Sequence, residues 1–464
     1  MTRPGLGPDP HARPSSEVAG AYARGATSLL PQLLGNAYLP RPALRRLVER
    51  RRARILLHAL ENVPHYREKF RAAGLGAESL ADPEAFADVP FLEKRHVKDE
   101  TEHLLWPAVD RAHLLERKSS GSTGSPVRVY FDPVNELPRR VQELRFLLAH
   151  GFRPWHKQMI LDAPAHLAPQ PFLPQRLHVW RREPYPWWLT PAQAVAEINQ
   201  KRPDLFHGVL AGIRMLALAI EAAGGLDYRP YRVVTKGELL DPSTRWFIEN
   251  AFGAKIIDFY ATEETGIIAW ECPSGDGYHI DQDFNFVEVV RPDGSPAEPG
   301  EVGEVVLTNL YQRAMPIIRY RVGDLAALAP SPCSCGRSLP LLRQLRGRKL
   351  DFLITPSGAL HDPFRVMAVM ERVAHVRWFR VIQTALERVE VRVGWERDVS
   401  PDARADVVAA IQGGLRELFA EDLSIDVVTV DEFRVEIGEK APLVKGLPGQ
   451  ELARLAERGY KLAF

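Results

Sequence analysis

Between about residues 191 and 260 the chain alternates helical and extended patterns, and this alternation limits the available folds more than any other feature. A helical pattern from about Pro191 ends at Lys201-Arg202-Pro203-Asp204, and an apolar helix spans 209–223. An extended run at 231–235, a helix at 242–251 and a second extended run at 255–260 come next. Parallel strands can be joined only through a crossover of about a dozen residues or more, so this order predicts a parallel sheet with covering helices. After Phe286 the pattern turns to strands and turns as far as Leu310, with Asp293-Gly294 as a hairpin signal. A separate pattern starts near Gly347, with strands at 352–354, 378–383 and 389–393 and helices near 363–373 and 401–419. The expected architecture is therefore α/β: a large N-terminal domain over 1–347 with a β-rich subdomain, and a small α+β domain over 348–464.

Several function classes are disfavoured at this level. Of 464 residues, 26% are charged and the formal net charge is +1, so no global field draws the chain to nucleic acid or to an anionic membrane. The most apolar stretch, 209–223, is interrupted by Arg214 and Glu221 and reads as a buried helix, not a membrane span. The first thirty residues are rich in Pro, Gly and Ala, carry no apolar signal-peptide core and read as a loose tail, so a cytoplasmic protein is expected. From 43 to 73 the pattern is helical, interrupted at Asn62-Val63-Pro64, with Leu56, Leu57, Leu60, Val63 and Phe70 facing inward. The Pro- and aromatic-rich stretch 164–188 carries no secondary-structure signal.

The sharpest local feature is Lys118-Ser-Ser-Gly-Ser-Thr-Gly-Ser-Pro126, which leads into an extended run at 127–131. Hydroxyls of Ser119, Ser120, Ser122 and Thr123 alternate with Gly121 and Gly124, which let the backbone approach a ligand. Backbone N–H groups and hydroxyls of such a loop can cradle phosphate oxygens. No Lys-Ser/Thr comes after the last glycine, so this is not a Walker A loop, and alone it reads equally well as a flexible turn.

Later segments of the chain give the loop its meaning. In order they are Gly237-Glu238 after an extended run, Tyr260-Ala-Thr-Glu-Glu264-Thr-Gly266, Arg319-Tyr-Arg-Val-Gly-Asp324, Gly347-Arg348-Lys-Leu-Asp351 and Gly438-Glu-Lys440-Ala-Pro. Together with the Ser/Gly loop, this set resembles the signature segments of adenylate-forming enzymes, the acyl-CoA synthetase and adenylation-domain superfamily. Asn62-Val-Pro-His-Tyr-Arg-Glu, Val89-Pro-Phe-Leu-Glu-Lys94 and Cys333-Ser-Cys-Gly-Arg337-Ser-Leu-Pro340 resemble its phenylacetate–CoA ligase and coenzyme F390 synthetase-like branch. The resemblance covers about residues 55 to 445.

The resemblance implies an ATP- and Mg2+-dependent ligase that converts a carboxylic acid, aryl or arylacetic in this branch, to an acyl-AMP and passes it to CoA. It implies nucleotide contacts from Ser120, Gly121, Ser122, Thr123, Gly124, Gly237, Glu238, Tyr260, Ala261, Asp324 and Arg348. Glu264 would hold Mg2+, an ion that favours carboxylate and phosphate oxygens. Asp324 would accept both ribose hydroxyls, and Arg348 would present a forked cation beside them. Tyr260 would stack on adenine, and Lys440 would place a point charge at the α-phosphate. Asp351 would be the hinge about which the C-terminal domain moves after adenylation. The acid would lie between the helix around 206–216 and the segment 260–268, lined by His207, Gly208, Gly212 and Ile267. Plain readings stand beside these: a solvated Lys440, an ordinary Arg348–Asp351 ion pair, and core packing for the apolar pocket residues.

Two positions depart from the family pattern. Ala261 replaces a glycine, and Glu263 stands where a hydroxyl is usual, a carboxylate that repels phosphate unless a cation meets it. Beside CoA, a non-CoA acceptor (an amine, a hydroxyl or a carrier protein) stays open, and Glu263 leaves open an unusual oxyacid or a nucleotide-binding protein without turnover. A monomer and a homodimer are equally compatible with the sequence. The cysteines form a second constellation: Cys272 with His279, and Cys333 with Cys335, exhaust the chain's three thiols and match a closed tetrahedral zinc set. Its role would be to pin the two loops that flank the nucleotide segments. The alternative is a buried Cys272 and a free Cys-x-Cys turn.

Overall fold

Proline at the first helical position, preceded by a capping side chain, begins one helix after another. Thr190, Asp241, Asp362 and Ser400 accept N–H groups from Gln193, Thr244, Phe364 and Ala403, and Pro191, Pro242, Pro363 and Pro401 come directly after them. Proline has no N–H to lose there, and the cap satisfies a donor the helix leaves open. The computed structural model describes residues 31–455 apart from 33, 119–126, 162–180, 187–188, 349–350, 397, 431–439, 449–450 and 453. The helices that frame the site are α1 (Arg41–Asn62), α2 (Pro64–Ala72), α3 (Lys94–Asp99), α4 (Pro133–Ala149), α5 (Pro191–Lys201), α6 (Leu210–Ala222) and α7 (Pro242–Phe252). The helical pattern over 43–73 is thus two helices broken at Val63, with Leu56, Val63 and Phe70 buried and Leu57 and Leu60 packed against the same core.

A short hairpin, β1 (Leu115–Lys118) and β2 (Arg128–Phe131), precedes the main sheet. The sheet then takes β3 (Gln158–Leu161), β4 (Arg182–Pro184), β5 (Leu205–Val209), β6 (Arg232–Lys236), β7 (Ile256–Thr262), β8 (Gly266–Glu271), β9 (Tyr278–Ile280), β10 (Asn285–Val290), β11 (Val302–Asn309), β12 (Tyr320–Leu328) and β13 (Leu341–Arg348). Its order is β10-β11-β12-β13-β9-β8-β7-β6-β5-β3-β4. Every pair from β4 to β7 is parallel, and every pair from β7 to β10 is antiparallel. The central parallel strands β5 and β6 are buried on both faces. Phe206, Val233 and Ile256 pack with Ile213, Leu216 and Ile248 under α6 and α7. Leu205, Val234 and Ile257 join Phe146 of α4 and the N-terminal helices on the other side. Such strands read as unbroken apolar runs, which is why Leu205–Val209, merged in the sequence with the helix after it, is a strand and not the start of that helix.

A second set of strands lies beyond, with β14 (Leu353–Ile354), β15 (Leu360–His361), β16 (Val376–Ala385), β17 (Arg388–Trp395), β18 (Ser424–Thr429) and β19 (Val444–Lys445) and helices α8 (Pro363–Met370) and α9 (Pro401–Phe419). The four strands β18-β17-β16-β19 form one sheet whose valines pack with Val366, Met367, Ile411 and Leu415. Among the described residues no helix is long and apolar enough to cross a membrane.

One buried ion cluster ties the N-terminal helices to the antiparallel half. Arg145 of α4 donates to Asp281 at 2.8 Å and to both oxygens of Asp283 at 2.8 Å. Trp270 Nε1 adds a bond to Asp281 at 3.0 Å, and Asn36 Nδ2 one to Asp283 at 2.7 Å. Both carboxylates are fully enclosed. Removing one partner of such a cluster leaves buried charge without compensation. Arg145→Met is therefore expected to destabilise the fold by about 3–5 kcal/mol in chemical denaturation; a loss within ~0.5 kcal/mol would show that the cluster does not hold these layers together.

Candidate active site

The parallel strands β5, β6 and β7 end side by side at Val209, Lys236 and Thr262, and β8 reverses direction next to them. A crevice at the carboxyl ends of parallel strands, where the strand order changes character, is the usual ligand position in open α/β sheets. The segment 260–264 leaves β7 at this point. Tyr260 donates its hydroxyl to Asp324 Oδ2 at 2.5 Å, and Tyr320 donates to Glu264 Oε1 at 3.1 Å. Burial and these carboxylates hold both phenols well above their usual pKa, so they stay donors. Asp324 on β12 faces Arg348 on β13, with Arg348 Nε 3.8 Å from Asp324 Oδ1. Burial alone would lower the pKa of Arg348, but Asp324, Asp351 and Glu264 outweigh it. Burial pushes Asp351 up to about 6 against the pull of Arg348. Tyr260, Glu264, Asp324, Arg348 and Asp351, far apart in the chain, thus meet at one place.

Lys440 reaches the same place from the C-terminal part. A Cβ added at Gly237 would lie 3.4 Å from Lys440 Cε and 3.8 Å from Nζ. Gly237 also has φ +87°, so it is both a backbone requirement and the space Lys440 crosses. Burial, then Arg348, lowers the pKa of Lys440; Asp324, Glu238 and Glu263 oppose the shift. Glu263 therefore lies within electrostatic reach of a cation, the condition its carboxylate needed. Glu238, next to Gly237, accepts the backbone N–H of Ala441 with its carboxylate.

The structure adds Lys94, a residue the sequence left without a role. Arg319 sits in the left-handed region at φ 46° and hooks the backbone oxygens of Ala87 and Val89 at 2.7 and 2.6 Å. Leu92 then bridges to Tyr320 through the Arg319 carbonyl at 2.9 Å and the Arg321 N–H at 3.0 Å. The chain is thereby laid along β12, and Lys94 opens α3 beside Glu264, Asp324 and Arg348. Burial, then Arg348, lowers its pKa, and the two carboxylates raise it. The only sequence signal for it was the Val89–Lys94 segment itself.

The remaining expected residues divide. Ala261 is half-buried and pairs with Ile267 across β7 and β8. His207 is on β5, edge-on to Phe259 at 5.6 Å, with Nδ1 3.7 Å from Glu143 Oε1. The Ile267 carbonyl accepts from Gln142 at 2.9 Å, so α4 spans the space between these strands. Gly208 has a packing reason of its own: an added Cβ would lie 2.7 Å from the Leu161 carbonyl oxygen on β3. Gly212 lies in the first turn of α6. Ser120, Gly121, Ser122, Thr123 and Gly124 lie outside the described residues; the strands on either side of them pair Lys118 with Arg128.

Cys272, His279, Cys333 and Cys335 converge, with one donor atom from each inside a 4.8 Å span. Cys272 Sγ is 3.4 Å from Cys333 Sγ, and His279 Nε2 is 3.1 Å from Cys335 Sγ. Thiolates about 2.3 Å from a tetrahedral zinc lie about 3.8 Å apart, so this donor set fits the ion closely. His279 Nδ1 lies 3.3 Å from the Leu339 carbonyl, which orients the ring with Nε2 toward the sulfurs.

No family model matches the chain. It is similar to the phenylacetate-coenzyme A ligase of Thermus thermophilus, at 29% identity over 406 residues, covering 82% of this chain and 88% of the relative. The phenylacetate-coenzyme A ligase of Escherichia coli is 30% identical over 319 residues, covering 64% of this chain and 70% of the relative. A solved 2-hydroxyisobutyryl-CoA ligase in its postadenylation state superposes with a TM-score of 0.76 at 18% identity, over 92% of this chain and 94% of that one. An anthranilate CoA ligase with anthranoyl-AMP superposes at 0.52, with 17% identity over 75% of this chain and 67% of that one. The sheet with its two halves and the relatives agree: the chain belongs to the phenylacetate–coenzyme A ligase family of adenylate-forming ligases.

Proposed function

We propose that this protein activates a carboxylic acid with ATP, releasing pyrophosphate, and transfers the acyl group of the resulting acyl-AMP to CoA. The observation that carries the reading is the meeting of Lys440, Arg348 and Lys94 with Glu264 and Asp324 at the carboxyl ends of the parallel strands. Adenylation joins two anions: a carboxylate oxygen attacks the α-phosphorus and the bond to pyrophosphate breaks. Positioned cations in a poorly solvated crevice lower that barrier without any covalent role for the protein. Lys440, its pKa lowered but its charge countered by Asp324 and Glu238, approaches the α-phosphate. Asp324 accepts the ribose hydroxyls, and Arg348 braces it. Glu264 would hold Mg2+, whose charge offsets that of the phosphates when bound. In the second step the CoA thiol gives its proton to solvent, its sulfur forms a bond to the acyl carbon, and AMP leaves with the electron pair of the broken mixed-anhydride bond.

Similarity to phenylacetate–CoA ligases supports an aryl or arylacetic acid. The proposed division is into an N-terminal domain over 1–347 and a C-terminal domain over 348–464, with Asp351 as the hinge beside Arg348; the separate four-stranded sheet of β16 to β19 supports it. His207, Ile267 and the α4 side facing them are the proposed wall of the acid site. The Cys/His set holds a structural zinc that pins the loop after β8 to the loop before β13.

Three experiments test these assignments. Exchange of labelled pyrophosphate into ATP is expected only with an acid present, phenylacetate first among an aryl-acid panel, and AMP release is expected to accelerate with CoA. No exchange across the panel rejects the acid class, and acceleration by an amine in place of CoA moves the reading to a different acceptor. Lys440→Ala is expected to lose exchange by about a hundredfold or more, a loss of ~2.7 kcal/mol of transition-state stabilisation, while consuming supplied phenylacetyl-AMP with CoA. Equal loss in both half-reactions would remove Lys440 from the adenylation step. Elemental analysis of the purified protein is expected to find one zinc per chain, and Cys335→Ala to lose it together with thermal stability. Zinc-free protein, with Cys272→Ala as stable as wild type, would reduce the cluster to buried thiols.

A further inference from the structure

Ala441 is held from both sides of its backbone by the N-terminal part of the molecule. Its N–H is donated to the Glu238 carboxylate, and its carbonyl accepts Arg214 Nη2 at 3.4 Å. Both side chains belong to the rigid sheet layer. Arg214 lies in the first turns of α6 and is only 5% exposed, and Glu238 comes just after β6. The two attract each other, and the Ala211 N–H at the start of α6 also reaches the Glu238 carboxylate. The next residues belong to the other side. Pro442 O accepts Arg380 Nε at 3.1 Å, Leu443 O accepts the Val381 N–H at 2.7 Å, and Val444–Lys445 pairs as β19 with β16. The grip therefore changes hands at the Ala441–Pro442 peptide: everything from Pro442 to β19 is tied to the small sheet, and Ala441 is bound to the large one.

We propose that Glu238 and Arg214 form a clamp on the Ala441 backbone that positions Lys440 for adenylation and lets go when the C-terminal part moves for transfer. The proposal rests on the functional reading above and adds two positioning residues to it. The chemistry suits a contact that must form and break. A backbone N–H and C=O offer both partners regardless of side chain, so Lys440 is placed in register by the residue next to it. Released, Glu238 and Arg214 still neutralise each other, and the Ala211 N–H still serves Glu238, so opening leaves no lone buried charge. Gly237 completes the arrangement: its φ of +87° calls for glycine, and the Lys440 side chain packs directly against it beside the clamp.

The test uses the full-length protein in two arms. In hydrogen–deuterium exchange, the Ala441 amide of wild type is expected to be protected, and Arg214→Met, Glu238→Ala and Ala441→Pro loosen the flanking peptide; a hydrogen bond to a charged group contributes about 1.5–3 kcal/mol, or roughly ten- to hundredfold in protection. Ala441→Pro removes the donor, fixes φ at 441 and restricts Lys440, but leaves both N-terminal side chains in place, so a folding defect in the other two does not obscure the loss of protection. In the second arm, phenylacetate-dependent pyrophosphate exchange is expected to fall about tenfold or more in each variant, with consumption of supplied phenylacetyl-AMP and CoA retained in Arg214→Met and Ala441→Pro. Unchanged protection around Ala441, or parallel loss of both half-reactions, overturns the clamp. Loss of protection in a protein whose wild type never exchanges pyrophosphate with any acid upholds the clamp and rejects the functional reading instead.

Discussion

Everything in this molecule is arranged around β7, which is parallel to β6 on one side and antiparallel to β8 on the other. A strand that closes a parallel run and opens an antiparallel one must turn tightly at its carboxyl end, because β8 starts only a few residues later. That turn carries Glu263 and Glu264 and brings them to the same edge as Gly237 and Glu238, which leave β6 alongside. Asp324 joins them from β12 and Arg348 from β13, paired in register on the antiparallel side. One half of the sheet thus supplies the crevice, the other its ion pair, and β7 is the seam. The double burial of β5 and β6 keeps that seam stiff, since their alternate residues serve separate cores.

Charge balance is the second constraint. Glu264 and Asp324 are each less than a tenth exposed, and carboxylates so enclosed are costly unless cations lie close by. Those cations come from three separate regions: Lys94 from α3, Arg348 from the end of β13, and Lys440 from the segment before β19. Arg348 lowers the pKa of both lysines, so the three cations are close enough to repel one another and are kept together by the carboxylates. An arrangement of that kind gains from an additional polyanion, which relieves the repulsion among the cations.

Much of this was legible in the chain, for identifiable reasons. Capped, proline-initiated helices announced themselves, and α9 has the boundaries read from its pattern, because Ser400-Pro401 fixes the start on local chemistry alone. The gathering of Tyr260, Asp324 and Arg348 was legible through ordered motifs, not through any periodicity. The features that stayed hidden depend on long-range contact. Leu205–Val209 has no polar residue between itself and α6 to mark where strand becomes helix. Lys94 owes its position to Arg319 gripping the backbone of Ala87 and Val89 more than two hundred residues away, and nothing local to Lys94 encodes that. The hydrogen bond from the Ala441 N–H to Glu238 joins segments about two hundred residues apart, and nothing local to Glu238 encodes it. The cysteines were legible because so few occur, and their convergence needed only that β8–β9 and β12–β13 share one sheet.

Glu263 shows how one departure changes meaning once the fold is known. As a letter in a motif it replaces a hydroxyl with a charge and looks hostile to phosphate. In three dimensions it is one of the carboxylates that oppose the fall in the pKa of Lys440, together with Asp324 and Glu238. A carboxylate has an energetic meaning only through the cations it faces, and those are set by how the second sheet docks. With the C-terminal segment in place, Glu263 lies opposite a lysine. If that segment withdrew, Glu263 would lose this partner. The same residue would then repel a phosphate more strongly than in the closed arrangement, so a charge at position 263 would couple the anion affinity of the crevice to the position of Lys440. A hydroxyl there could hydrogen-bond phosphate in either arrangement and would carry no such coupling.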